Sequence, residues 1–207
     1  MFKKFLSLYA YSLNHTKMKK AFATKGVFPH KWAFTLLFPL RNIFLSPRKL
    51  IERLDLRENY KVLEVGPGPG YFSIAVARKL KNGQLYLADI QPEMLEYAKK
   101  RLKKRKIENV EYYLCNGTIF DFKDDFFDVI FLVTVLGEVE NKDSYIKEFD
   151  RMLKQDGIIS ITELAGDPDK MSIEELKVLF EKHNFFIYNQ YGNKRNFTIN
   201  FRRKNGK

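Results

Sequence analysis

The chain has 207 residues, of which 45% are hydrophobic and 30% are charged. A chain of this length and composition can bury a sizeable core as one domain, and it does not have the composition of a disordered protein. The single cysteine, Cys115, excludes an internal disulfide. The three histidines are spread along the chain, so no metal site is predicted.

The charge of the chain is strongly positive and unevenly distributed. Lys and Arg number 37 against 25 Asp and Glu, which gives a formal net charge of +12. Residues 1–51 contain ten Lys and Arg but no Asp or Glu. Such a balance attracts polyanions or anionic membrane surfaces.

The N-terminal region combines this positive charge with apolar segments. Apolar residues recur at helical spacing over residues 2–13, with lysines around them, which predicts a short basic amphipathic helix. Polar residues interrupt the segment and no small-residue cleavage site follows, so a retained N-terminus and a cytoplasmic protein are predicted. Trp32–Leu45 is the most apolar segment, but Pro39 and polar residues cut it below the roughly 20 residues that span a bilayer. This segment could lie on a membrane or cover the rest of the chain.

The most informative stretch is an apolar run, Val62–Val65, followed by a glycine-rich turn and a helical pattern over Tyr71–Leu80. This order predicts a buried strand, a tight turn and a helix. Glycines at 66, 68 and 70 let a ligand approach the backbone closely, because glycine lacks a Cβ and readily adopts positive φ. Pro67 and Pro69 have no N–H to donate, and Tyr71 stands where a dinucleotide motif would place its third glycine. A nucleoside-like ligand without phosphates therefore suits this turn better than a phosphate.

A second apolar run, Leu85–Ala88, ends in Asp89. A carboxylate at the tip of the second parallel strand can accept hydrogen bonds from both hydroxyl groups of a ribose. Asp89 therefore predicts a site for an adenosine-type ribose. A helix is predicted to open at Pro92 and to end in the basic run Lys99–Lys106. This run is interpreted as a solvated helix face, and a contact patch for anions is the alternative.

From Lys61 onward, apolar runs alternate with helical patterns, which predicts a parallel sheet with helices on both faces. Ser172–Glu175 forms a capping-box pattern, and Gly192–Arg195 separates two alternating runs as in a hairpin. The other predicted elements are helices over 46–56 and 141–153, and strands over 110–115, 126–135, 157–162, 185–191 and 196–203.

Four blocks in this order resemble the class I S-adenosylmethionine (SAM) dependent methyltransferases, especially the small-molecule branch that includes the ubiquinone and menaquinone biosynthesis enzymes. They are Val62–Gly70, Asp89–Met94, Phe127–Ile130 and Leu153–Gly157. The resemblance covers residues 46–203 and implies a Rossmann-like α/β fold. In that fold a seven-stranded, mostly parallel sheet has helices on both faces and an antiparallel C-terminal strand. It also implies a basic helical extension or lid over 1–45 and a SAM-binding domain over 46–207.

The residues expected to bind SAM lie in or just after the first four strands. By resemblance, Glu64 helps to hold the methionine end of SAM. Asn116 stands where the family often has an acid that contacts the adenine amine, and its carbonyl oxygen can still accept that hydrogen bond. The full set is Glu64, Gly66, Pro67, Gly68, Gly70, Asp89, Ile90, Asn116, Gly117, Thr118, Leu132 and Val133.

The candidate catalytic residues are Glu138, Glu163 and His30. The two glutamates follow adjacent strands and could flank the methyl acceptor, although each could equally be a solvated loop acid. His30 lies in the predicted lid and could act as a base, although a structural or exposed histidine is the alternative.

The resemblance implies methyl transfer from SAM to a small acceptor. The aromatic, acid-free N-terminus suits an apolar, amphipathic or lipid-like acceptor, with peripheral contact to an anionic membrane as a further expectation. A methyltransferase acting on RNA or protein is one alternative. Nucleic acid is the less favoured partner, because no RNA-binding module is recognisable. A SAM-binding regulatory protein without catalysis is the other alternative.

Overall fold

A computed structural model of the chain describes residues 45–117 and 119–204. Residues 1–44 of the predicted N-terminal extension, which include His30, lie outside the described residues, as does Thr118. Within these two ranges, no helix has the length and apolar character needed to cross a membrane. The same ranges contain no group of three or more His, Cys, Asp or Glu side chains arranged to hold a metal ion.

Seven strands form one sheet, which confirms the predicted Rossmann-like α/β fold. The sheet order is β3-β2-β1-β4-β5-β7-β6, and β7 runs antiparallel to both of its neighbours while the other pairings are parallel. Strand order changes direction between β1 and β4, and ligands of open α/β sheets bind at such a switch point. The strands are β1 (Lys61–Val65), β2 (Gln84–Asp89), β3 (Val110–Leu114), β4 (Phe127–Val133), β5 (Leu153–Glu163), β6 (Phe185–Gly192) and β7 (Phe197–Arg203).

Helices flank the sheet, and polar side chains cap several of them as the sequence predicts. The Ser46 hydroxyl accepts a hydrogen bond from the Lys49 N–H at 3.2 Å. Ser172 and Glu175 form the predicted capping box. These caps satisfy N–H groups that have no partner within the helix. The helices are α1 (Pro47–Leu54), α2 (Ser73–Lys79), α3 (Pro92–Lys103), α4 (Lys142–Met152) and α5 (Ile173–Lys182), with a 3₁₀ turn over Leu136–Glu138.

Two hydrophobic clusters pack on opposite faces of the sheet. One contains the buried residues of α1, α2 and α3, and the other contains those of α4 and α5. Consecutive residues of a strand pack in different clusters. Phe131 of β4 belongs to the first cluster and Leu132 to the second. Leu45, which the sequence places in the N-terminal extension, is fully buried in the first cluster.

Several predicted boundaries differ from the observed ones, and three of the differences follow. Strand β4 ends at Val133, not at residue 135, because Thr134 has a left-handed φ of 54° that a continuing strand does not allow. Strand β5 begins at Leu153, four residues earlier than predicted, because Leu153 already pairs with Phe127. Helix α2 begins at Ser73, two residues later than predicted.

Candidate active site

The glycine-rich loop after β1 turns sharply at three positions. Gly66, Gly68 and Gly70 have φ values of 66°, 53° and 72°, a region that glycine enters at little cost. The Gly66 N–H donates to the Ala88 carbonyl of β2 at 2.8 Å. A Cβ at Gly66 would lie 2.5 Å from Cγ2 of Val135, so the loop after β1 also contacts the segment after β4.

Helix α3 packs closely against the end of the same loop. A Cβ added at Gly70 would lie 3.1 Å from the Cβ of Ala98. One turn further along α3, Arg101 Nη1 donates to the Pro69 carbonyl at 2.6 Å. The absence of a side chain at Gly70 therefore allows α3 to pack closely against the glycine loop. The sequence pattern indicates the flexible turn but not these two partners, which are distant along the chain.

Asp89 lies at the tip of β2, where the sequence places the ribose contact. Its side chain is buried, with 7% of the residue exposed, and its Oδ1 accepts a hydrogen bond from the Gln91 N–H at 2.9 Å. Burial raises the pKa of Asp89 to about 6, while the backbone N–H groups of Gln91, Gly68 and Ile90 act in the opposite direction. The Gly68 contribution places the middle of the glycine loop beside this carboxyl group.

Glu64 connects β1 to α2 inside the fold. It is 3% exposed, and its Oε2 accepts a hydrogen bond from the Ser73 hydroxyl at 2.6 Å. This bond fixes the first turn of α2 relative to the glycine loop. A contact from Glu64 to the methionine end of SAM stays a prediction. Ser73 is a site residue that the sequence reading missed, and its position in the first turn after the loop was the available signal.

The predicted adenine contacts follow β2 and β3. Ile90 is 40% exposed, so its side chain presents an apolar surface directly after β2. Gly117 has a φ of 80°, and a Cβ added there would meet Cγ2 of Ile90 at 3.7 Å. The Asn116 Oδ1 already accepts the Ile119 N–H at 3.0 Å, and a carbonyl oxygen can accept one further hydrogen bond.

The two predicted site residues at the end of β4 are both buried. Leu132 is 1% exposed and belongs to the cluster under α4 and α5, while Val133 is 8% exposed and belongs to the opposite cluster. Both residues lie at the carboxyl end of β4, beside the switch point. Direct contact of either residue with SAM stays a prediction.

Glu163 lies at the carboxyl end of β5, one strand beyond the switch point. It is fully buried, and neither carboxyl oxygen has a hydrogen-bond partner of good geometry among the described residues. The pKa of Glu163 is raised to about 8, mainly by burial and in addition by the neighbouring acids Asp167 and Glu138. Lys170 and the Met171 N–H act in the opposite direction. Glu138 and Glu163 are therefore neighbours, while His30 lies outside the described residues.

These residues fit the adenosine part of SAM. The buried Asp89 carboxyl lies beside the Gly68 backbone, the exposed Ile90 side chain follows it in sequence, and the space beside Gly117 has only ordinary van der Waals neighbours. The hydroxyl groups of a ribose need a hydrogen-bond acceptor, which the Asp89 carboxyl provides. A purine ring needs an apolar surface and a backbone edge without a side chain, which Ile90 and Gly117 provide.

Comparisons with known proteins agree with this geometry. A family model described as a methyltransferase domain matches residues 56–195. The ubiquinone/menaquinone biosynthesis C-methyltransferase UbiE of Pectobacterium atrosepticum is 29% identical over 147 residues, which cover 70% of this chain and 57% of that protein. The UbiE protein of Cellvibrio japonicus is 32% identical over 145 residues, which cover 69% of this chain and 57% of that protein.

The fold also matches solved structures. A SAM dependent methyltransferase from Aquifex aeolicus superimposes with a TM-score of 0.79 at 22% identity, over 84% of this chain and 98% of that one. At that identity the match shows the fold alone. The chain spans 57% of the length of the curated relatives named above. Because the family model covers more than half of the chain, the chain belongs to the methyltransferase domain family of class I SAM-dependent methyltransferases.

Proposed function

We propose that the chain transfers a methyl group from SAM to a carbon atom of a small hydroxylated aromatic acceptor with an apolar part, as in a quinone precursor. The names of the relatives support a quinone-like acceptor and a carbon target. The observation that carries the proposal is the buried Glu163 carboxyl near the switch point, which has no hydrogen bond of good geometry to any described residue, because an acceptor of this kind needs a base.

SAM, when bound, supplies an electrophilic methyl group on a sulfonium sulfur. The residues of this chain hold the reactants in line, since a methyl displacement needs mainly a near-attack geometry. Asp89 and the glycine loop position the nucleoside end. Glu64, held by Ser73, fixes the loop on the side of the methionine end.

In this proposal Glu163 takes the proton of an acceptor hydroxyl group. The O–H bond breaks, the proton binds to the carboxylate, and the oxygen electron pair is delocalised to the ring carbon that attacks the methyl group. The new carbon–carbon bond would form as the methyl–sulfur bond breaks, with the electron pair staying on sulfur, and the methylated ring carbon would then lose its proton to water, which restores the aromatic ring. The raised pKa of Glu163, about 8, makes the carboxylate a stronger base than an exposed glutamate. Glu138 is its acidic neighbour and is proposed to flank the acceptor. His30, outside the described residues, is kept as a candidate base.

The pH dependence of catalysis tests the role of Glu163. Below pH 8 most of the carboxyl is protonated, so kcat/KM for a dihydroxyaromatic acceptor should rise about tenfold per pH unit and level off above pH 8. The variant Glu163→Gln should lower kcat by about 10²- to 10⁴-fold while SAM binding stays intact.

The matched control is Glu174→Gln, which removes an exposed carboxylate in the first turn of α5. It should behave like the wild type. A Glu163→Gln variant with wild-type kcat and an unchanged pH profile would show that Glu163 is not the base.

We further propose that the enzyme meets an acceptor with an apolar tail at an anionic membrane surface. The ten Lys and Arg and the absence of acids in residues 1–51 support this contact. The protein should sediment with vesicles that contain phosphatidylglycerol but not with vesicles of phosphatidylcholine alone. Deletion of residues 1–25 should remove this binding, and unchanged binding after the deletion would contradict the proposal.

A further inference from the structure

The hydroxyl group of a tyrosine on α4 adjoins the adenosine end of the site. This residue, Tyr145, is 5% exposed. Its ring packs edge-on against Phe120 and Phe149, with centroid distances of 5.3 Å and 5.6 Å. Because the ring is held on both sides, the hydroxyl has a fixed position.

The position of this hydroxyl is given by its neighbours. It lies 3.9 Å from the point where a Cβ on Gly117 would stand, and Cγ2 of Ile90 lies 3.7 Å from the same point. The space beside the Gly117 backbone is therefore bounded by an aliphatic carbon on one side and by a phenol hydroxyl on another. Burial raises the pKa of Tyr145 to about 12, with smaller contributions from Cys115 and Asp89, so the hydroxyl keeps its proton at neutral pH. A hydrogen-bond donor thus lies beside Gly117 and Ile90, which are two of the predicted adenine contacts.

We propose that the Tyr145 hydroxyl donates a hydrogen bond to a nitrogen in the six-membered ring of the purine base of the bound nucleoside and so helps to select that base. This inference rests on the proposed function, because it assumes an adenosine-containing ligand at Asp89 and Ile90. It adds a residue of α4 to the site. The sequence assigns the site only to the segments after β1, β2, β3 and β4. Asn116, Gly117 and Tyr145 then surround one edge of the base.

Binding calorimetry with two nucleosides tests the inference. Adenosine and benzimidazole riboside share the ribose and the bicyclic shape, but benzimidazole lacks the ring nitrogens of the six-membered ring and the amine. In the wild type, adenosine should bind more tightly than benzimidazole riboside. In Tyr145→Phe the dissociation constant for adenosine should rise about fivefold, with little change for benzimidazole riboside. S-adenosylhomocysteine should lose affinity by the same factor as adenosine.

The matched control is Tyr86→Phe, which removes the hydroxyl of a 6% exposed tyrosine from the middle of β2 in the same hydrophobic cluster. Its nucleoside affinities should equal those of the wild type. Equal loss of affinity for both nucleosides in Tyr145→Phe, or no loss, would overturn the inference while leaving the proposed function in place. A Tyr145→Phe protein that fails to fold would show that the hydroxyl is held by the protein itself, and would also overturn it. A wild type that binds neither S-adenosylhomocysteine nor adenosine would overturn both proposals.

Discussion

Asp89 and Glu163 are both buried carboxyl groups at the carboxyl ends of strands, but their surroundings differ. Backbone N–H groups face Asp89 and limit the rise of its pKa to about 6, so it is ionised at neutral pH. Glu163 has acidic neighbours and no hydrogen bond of good geometry within the described residues, and its pKa is about 8. Asp89 is therefore suited to accept hydrogen bonds from ribose hydroxyls and Glu163 to exchange a proton.

At the residue scale, Gly66→Ala tests the close contact between the loops after β1 and β4. The new Cβ would overlap with Val135 at 2.5 Å and would require a φ of 66°. We expect a loss of about 2–4 kcal/mol in the free energy of unfolding, from backbone strain of roughly 1–2 kcal/mol plus overpacking. Urea unfolding monitored by circular dichroism measures this loss.

The control for Gly66→Ala is Gly166→Ala. Gly166 has a φ of 93°, but no atom lies within 4 Å of the added Cβ, so only backbone strain applies. This variant should lose about 1–2 kcal/mol. Equal losses in the two variants would show that the contact with Val135 adds nothing.

Residue types along the sequence predict the local part of this site and not the long-range part. The spacing of Gly66, Gly68 and Gly70 predicts a turn, since it depends on backbone conformation alone. The contacts of Gly66 with Val135 and of Gly70 with Ala98 depend on how distant segments pack. The sequence around Tyr145 does not predict a nucleoside contact. Its ring packs in the hydrophobic core, as would be expected for any aromatic residue on the buried face of α4.

At the element scale, helix α3 presents a solvated basic face and also binds the glycine loop through one of its cations. Most cations of its basic run are exposed, as the sequence predicts, but Arg101 is half-buried and binds the Pro69 carbonyl at 2.6 Å. Burial lowers the pKa of Arg101, and the nearby Arg105 lowers it further. One residue of a charge run thus has a structural role that periodicity and composition do not reveal.

Removal of the hydrogen bond from Arg101 to the Pro69 carbonyl should weaken SAM binding indirectly, through the glycine loop. In Arg101→Ala the dissociation constant for S-adenosylhomocysteine should rise about fivefold, because a hydrogen bond from a charged donor contributes roughly 1.5–3 kcal/mol and part of that energy orders the loop. Lys100→Ala removes the same charge from an exposed neighbour and should leave the affinity unchanged. Equal effects in both variants would mean that charge, and not the bond to Pro69, is responsible.

At the scale of the whole molecule, the alternation of strand and helix patterns predicts a sheet covered on both faces, and the two hydrophobic clusters confirm it. The order of the seven strands is not predicted by periodicity, because pairing partners are not encoded locally. The switch point between β1 and β4 brings the glycine loop, Asp89 and Glu163 to one edge. The roles of the catalytic candidates depend on an acceptor whose identity the sequence does not specify.

The most direct test of the account is calorimetric titration of S-adenosylhomocysteine into the wild type and Asp89→Ala. We expect micromolar binding by the wild type and a loss of about 100-fold in the variant, because two hydrogen bonds to a charged acceptor are removed. Since binding needs the ionised Asp89 carboxyl, wild-type affinity should be constant above pH 7 and should fall about tenfold per pH unit below about pH 6. Absence of binding in the wild type, or equal affinity in the variant, would contradict the assignment of this sheet edge as the SAM site.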